Sequence, residues 1–218
     1  MTDRLQPEEM VSRLLNAEDI LLLCHKNPDG DTTGSAAALC HALRGLGKRA
    51  AVFCADPIPA MYSYMQIPLY TPDQFTPGCV AAIDVASIQL FGDGARPFSE
   101  RVDLCIDHHG SNAGYAGETL LDESAAATSE ILADLIPLLG AEITPLIADC
   151  LYTGLSTDTG CFKFANTTAR THRTAARLME LGARVEELNP LLFENKSRAL
   201  MEIERMALAG LEYFFDGR

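Results

Sequence analysis

Asp19-Ile20-Leu21-Leu22-Leu23-Cys24-His25-Lys26-Asn27-Pro28-Asp29-Gly30-Asp31 passes directly from an unbroken apolar run into a cluster of ionisable side chains. The run has strand length, and further runs of that kind occupy residues 50 to 54, 79 to 83 and 102 to 106. Between the first two, Ala36, Leu39, Cys40, Leu43 and Leu46 fall on one face at helical spacing, and Gly47 is suited to stop the helix. The order strand, loop, helix, strand predicts an α/β domain with a mainly parallel β-sheet flanked by helices. Residues 124 to 139, 144 to 156, 168 to 181 and 197 to 213 also read as helices, which makes the C-terminal half the more helical one. Pro57, Pro59, Pro68, Pro72 and Pro77 mark an irregular stretch between strands, not a domain boundary. The expected organisation is one domain over residues 1 to 190, with 191 to 218 as a helical extension or connector.

The 218 residues, 48% of them hydrophobic, suffice for a substantial core. No apolar run approaches the ~20 residues of a membrane-spanning helix. The start, Met1-Thr2-Asp3-Arg4-Leu5-Gln6-Pro7-Glu8-Glu9, is polar and acidic, unlike a secretory signal. A cytoplasmic location is the expectation, with no membrane partner. Cys24, Cys54, Cys79 and Cys105 lie in or beside apolar runs and no C-x-x-C pair occurs, so they read as reduced core residues. The seven cysteines cannot all pair within the chain, and a zinc–thiolate cluster is not indicated. A net charge of −13 repels polyanions unless cations or a local basic surface intervene. Residues 163 to 205 are the local exception, with eight Lys/Arg against six acids.

In open α/β sheets the ligand site lies beyond the carboxyl ends of the strands. Four polar groups occupy such positions: His25 to Asp31, Asp84, Asp107-His108-His109, and Ser156-Thr157-Asp158-Thr159-Gly160 at a helix end. Singly, most have ordinary explanations. Asn27-Pro28-Asp29-Gly30 is a turn sequence, Asp84 could cap a helix, and Asp158 could stabilise a turn. Two imidazoles beside a carboxylate after a buried strand are harder to leave without partners. Together the groups supply imidazole and carboxylate ligands that suit manganese or magnesium better than a thiolate-seeking metal. Two cations ~3.5 to 4 Å apart would need a bridging carboxylate and would clamp a hydroxide for in-line attack on phosphorus. Asp84, alone on its strand, is the natural bridge. Gly30 to Ser35 is no nucleotide-binding P-loop, because Gly34 stands where that loop requires Lys. Amides of the helix starting near Thr33 could still meet a phosphate.

The order HKNPDGD, AAID, DHHGSN and STDTGCFKFANTT resembles the DHH phosphoesterase superfamily across nearly the whole chain. Ser111-Asn112, Ala127-Thr128-Ser129-Glu130 and Phe164-Ala165-Asn166-Thr167-Thr168 are similar to its bacterial oligoribonuclease and 3′-phosphoadenosine 5′-phosphate phosphatase branch. The resemblance implies two divalent cations, Mn²⁺ favoured over Mg²⁺ or Co²⁺. It assigns His25, Asp29 and Asp84, with Asp158 as a further candidate, to one cation, and Asp31, Asp84, His108 and Asp158 to the other. His109 would face the substrate phosphate, Asp107 would orient a histidine, and Asn112, Asn166 and Thr167 would contact substrate. His41 and His172 match no motif and are expected to tolerate substitution. The substrate implied is a nucleotide or short oligoribonucleotide, and a homodimer is left open. The alternatives are a cyclic-dinucleotide phosphodiesterase, then an inorganic pyrophosphatase or a non-enzymatic metal or nucleotide sensor. Such proteins normally continue into a DHH-associated domain with a glycine-rich, histidine-containing motif. No match to it occurs here, and truncation is the expectation.

Overall fold

The computed structural model describes residues 3–212, 214 and 215. Six strands, β1 (Asp3–Arg4), β2 (Ile20–Leu23), β3 (Ala50–Phe53), β4 (Cys79–Ile83), β5 (Leu104–Asp107) and β6 (Glu118–Leu121), form one sheet in the order β1-β6-β5-β4-β2-β3. Every pairing is parallel. The four apolar runs become β2 to β5. Neither edge-side addition carries such a run: β1 is two exposed residues, and β6 is the half-buried Glu118-Thr119-Leu120-Leu121.

Side chains alternate between two cores, as the strand period dictates. Ile20 and Leu22 enter the larger core, Leu21 and Leu23 the smaller one. The larger core is built with α1 (Pro7–Asn16), α2 (Gly30–Gly45), α4 (Thr128–Leu138) and α5 (Pro145–Asp158). On the opposite face lie short 3-10 turns, α3 (Arg96–Ser99) and an edge-to-face cluster of Phe53, Tyr70 and Phe98. The sheet is thus covered on both sides, which is why its central strands lack polar alternation.

Helix α2 departs from its one-faced reading. It starts at Gly30, not near Thr33, because the Asp29 carboxylate accepts from the Asp31 and Thr32 amides at 3.0 and 3.1 Å. It is buried on all sides from Gly30 to Cys40, wedged between the sheet, α4 and α5. Small residues permit this, since a Cβ on Gly34 would run into the Cys150 carbonyl oxygen. The stop at Gly47 stands: its φ is 82°, and Lys48 N donates to Leu43 O at 3.0 Å.

The helical second half is present with shifted limits. Residues 124 to 127 are not helical, because Asp122 Oδ1 accepts from Ser124 N and Oγ and turns the chain before α4. Helix α5 runs two residues further than read, to Asp158, and α6 (Ala169–Glu180) follows a Thr168 cap. After α7 (Val185–Asn189), α8 (Arg198–Ala209) buries none of its residues. The reading of 197 to 213 as a helix ends at Tyr213, which lies outside the described residues. No helix of the described residues is long and apolar enough to cross a membrane.

The chain leaves β2 for β3 on one side and returns to β4 on the other, so the strand order reverses between β2 and β4. A crevice outside the carboxyl ends of these strands is where open α/β sheets bind ligands.

Candidate metal centre

His25 lies just past the end of β2, Asp84 follows β4, and Asp107 ends β5, so the strand ends deliver three of the four groups to that crevice. Asp29 and Asp31 arrive at the start of α2, and Asp158 as the last residue of α5. Ligand atoms of His25, Asp29 and Asp84 lie within 4.8 Å of one another, as do those of Asp31, His108 and Asp158, and those of Asp84, His108 and His109. Asp84 is common to two groups. It follows its strand with φ 61°, in the left-handed region that Asp tolerates better than most residues.

The histidines are oriented alike. His25 Nδ1 donates to Lys26 O at 2.8 Å and His108 Nδ1 to Ala125 O at 3.2 Å, leaving each Nε2 to present a lone pair. His25 Nε2 stands 3.5 Å from Asp29 and 3.9 Å from Asp84, and His108 Nε2 3.3 Å from Asp158 and 3.6 Å from Asp84. His108 Nε2 is buried without a hydrogen-bond partner among the described residues. An orphaned imidazole nitrogen facing carboxylates, in an oxygen and nitrogen donor set, fits a divalent cation.

Electrostatics agree. Burial, then repulsion from Asp31 and Asp29, pushes the Asp84 carboxyl well above the usual carboxylate range. The same causes push Asp158 up to about 7. For Asp29, burial opposes ionisation, but the nearby His25 imidazole and the α2 amides outweigh it and hold the carboxyl low. In metal-free protein, folded Asp84 and Asp158 keep protons that the unfolded chain releases near its lower carboxylate pKa. Stability should therefore fall as pH rises from about 4 towards 7. His25 and His109 are raised, so their contribution, present below ~6.5, is also lost as pH rises further. The expected result is a lower melting temperature at pH 8 than at pH 5 without metal, with the difference reduced or reversed by Mn²⁺. A pH-independent melting temperature would contradict these carboxylate environments.

His109 is placed differently. Its Nδ1 donates to Asp107 Oδ1 at 2.8 Å, and its side chain is 42% exposed. Burial opposes the charge on Asp107, but hydrogen bonds from His109 and Asn112 hold its carboxyl below the usual range. The Asp107 bond raises His109 correspondingly. The Asn112 amide is engaged inside the protein, donating to Asp107 at 2.7 Å and accepting from Gly114 N at 2.9 Å. Asn166 Nδ2 ties the carbonyls of Ala126 and Asp158 together at 3.0 and 3.1 Å. Thr167 Oγ1 is buried without a partner among the described residues. Of the two histidines outside the motifs, His41 bonds Met65 O at 2.8 Å and His172 stacks on Phe162.

Residues without a role in the sequence reading support this cluster. The N-terminus of α4 points at Asp31, whose carboxylate accepts from Thr128 N at 2.6 Å and Ser129 N at 3.0 Å. Thr128 Oγ1 donates to Asp84 at 2.8 Å. Fully buried Glu130 accepts from Ala126 N at 2.6 Å, bracing the loop whose Ala125 carbonyl orients His108. The motif Ala127 to Glu130 held the signal, without the geometry to interpret it. Gly154 of α5 lets these parts meet: a Cβ there would stand 2.5 Å from Asp31 Oδ1 and 2.8 Å from Ser129 Cβ. Gly154→Ala is expected to lower metal-free stability by about 1–3 kcal/mol and to weaken metal binding. Denaturation and Mn²⁺ titration check both, and unchanged affinity would show that Asp31 tolerates displacement.

The family model described as "DHH family, N-terminal domain" matches residues 19–155, which contain most of this cluster. The chain belongs to the DHH family. This DHH chain is 37% identical over 189 residues to the bifunctional oligoribonuclease and PAP phosphatase NrnA of Thermus thermophilus, a match covering 84% of this chain and 57% of that protein. The protein of the same name from Bacillus subtilis is 28% identical, covering 86% of this chain and 61% of its own length. The chain thus spans less than two thirds of either relative. An exopolyphosphatase-related protein from Bacteroides fragilis shares the DHH fold at a TM-score of 0.84, with 20% identity, 95% of this chain covered and 66% of that one.

Proposed function

We propose that residues 1 to 190 form the catalytic domain of a metal-dependent phosphoesterase that cleaves short oligoribonucleotides and removes the 3′-phosphate of adenosine 3′,5′-bisphosphate. Residues 191 to 218 serve as an extension or connector. The observation that carries this reading is the buried His108 Nε2, without a hydrogen-bond partner among the described residues and aimed at Asp84 and Asp158 at the sheet's switch point. The substrate class is supported by the two similar proteins named as oligoribonucleases and PAP phosphatases.

His25, Asp29 and Asp84 would hold one divalent cation, and Asp31, His108 and Asp158 the other, with Asp84 reaching both. When bound, such a pair supplies Lewis-acid activation of water and neutralises charge on phosphorus-bound oxygens. The α4 amides and Ser35 Oγ hold the Asp31 carboxylate in place. Asp107 holds His109 by Nδ1, so that Nε2 is free to protonate the leaving oxygen. The raised pKa of His109 favours the protonated form that this role requires.

The test is hydrolysis of adenosine 3′,5′-bisphosphate, a triribonucleotide, a cyclic dinucleotide and pyrophosphate, each with Mn²⁺ and with Mg²⁺. Cleavage of the first two, with Mn²⁺ the better activator, is expected. Turnover confined to the cyclic dinucleotide or to pyrophosphate would replace this substrate class.

A further inference from the structure

The turn after α5 combines backbone strain with an aromatic ring that the chemistry above leaves unused. Gly160, Cys161 and Phe162 all adopt left-handed backbone, with φ of 56°, 58° and 62°. Residues bearing a Cβ disfavour that region, and two in succession persist only where the surroundings impose them. Here Cys161 N donates to Ser156 O at 2.7 Å, Phe162 N to Thr159 Oγ1 at 3.1 Å, and the Lys163 and Phe164 amides to Thr159 O at 2.9 and 3.0 Å. Phe162 is turned inward and stacks on His172 at 5.4 Å between ring centroids. Phe164 is turned outward and is 59% exposed. Its ring lies on Gly160 so closely that a Cβ there would stand 2.5 Å from Cε1.

This ring lies close to the metal centre. Gly160 is two residues past Asp158, so their Cα atoms are within about 7 Å. Asn166, two residues beyond Phe164, returns the chain to the Asp158 carbonyl. Lys163, exposed beside the ring, has no ion-pair or hydrogen-bond partner for its ammonium among the described residues.

We propose that the outer face of Phe164, seated on Gly160, is a stacking platform for a nucleobase of the substrate, with Lys163 placed for an adjoining phosphate. The proposal rests on the nucleotide phosphoesterase reading and adds the part of the substrate that this reading leaves unheld. An aromatic face suits any base, because stacking needs no particular hydrogen-bond pattern. A ring already laid against backbone loses little freedom on binding. In a chain of net charge −13, an uncharged contact also holds a polyanion without depending on Coulomb attraction.

Two measurements separate the platform from the hydrolase reading. Wild-type protein should prefer adenosine 3′,5′-bisphosphate to ribose 3,5-bisphosphate, the same molecule without its base, and Phe164→Ala should reduce that kcat/KM ratio roughly tenfold. The loss should fall mainly on KM, with Mn²⁺ affinity retained. Because the chain has no tryptophan, Phe164→Trp adds a single reporter. Its emission should be quenched by adenosine 5′-monophosphate, which has no 3′-phosphate to lose, and not by ribose 5-phosphate. Quenching without hydrolysis of any substrate would remove the hydrolase reading and leave the platform standing. An unchanged ratio in Phe164→Ala, or emission indifferent to adenosine 5′-monophosphate, would overturn the platform.

Discussion

His109→Ala is expected to bind metal as wild type does and to lose ~10²- to 10⁴-fold in kcat, the usual contribution of a well-placed general acid. His108 Nε2 faces Asp84 and Asp158 while His109 is held back by Asp107 with its other nitrogen free, so the adjacent imidazoles are separable by mutation. His108→Ala should lose metal first, and activity with it. His109 Nδ1 is also 3.6 Å from Asp84, which makes occupancy a necessary companion to the kinetic measurement. If His109→Ala turns over every substrate at the wild-type rate, the proton must reach the leaving oxygen by another route. If it loses metal as His108→Ala does, both histidines are ligands.

Asp84→Asn should lower occupancy at both cation positions, by more than the ~10- to 100-fold that loss of a supporting group costs. The substitution keeps the shape, and Asn accepts the φ of 61° at this position, so a folding failure is not expected. Without metal the variant should be at least as stable as wild type, because it removes a buried carboxylate repelled by Asp31 and Asp29. Metal analysis after dialysis into Mn²⁺, with melting curves on the metal-free proteins, reads both effects. His41→Ala, remote from the cluster and bonded to Met65 O, should change neither occupancy. An equal loss in both variants would place the ions elsewhere.

The central strands and the ionisable residues at their ends were legible because each group directly follows a continuous apolar run. A parallel sheet buried on both faces writes itself that way in one dimension. β1 escaped because its pairing joins residues more than a hundred apart, such as Asp3 and Glu118, and β6 because Glu118 and Thr119 leave it no continuous apolar run. The start of α4 was misread because Ala125 and Ala126 favour helix, while Asp122 turns the chain and Glu130 binds the Ala126 amide. The amides of Thr128 and Ser129 on Asp31 were invisible for the same reason, the first of these bonds joining residues 97 apart. Asn112 shows the limit of motif reading: its expected substrate contact competes with a hydrogen bond to Asp107 already made inside the fold.

The most direct test is to strip the protein of metal, titrate it with Mn²⁺, and follow bound ion and cleavage of adenosine 3′,5′-bisphosphate together. The predicted result is no cleavage without metal, activity rising to a plateau near two equivalents per chain, and full reversal by chelator. Cleavage that persists in excess chelator, or a folded protein that takes up no Mn²⁺, would contradict a two-cation centre built from His25, Asp29, Asp31, Asp84, His108 and Asp158.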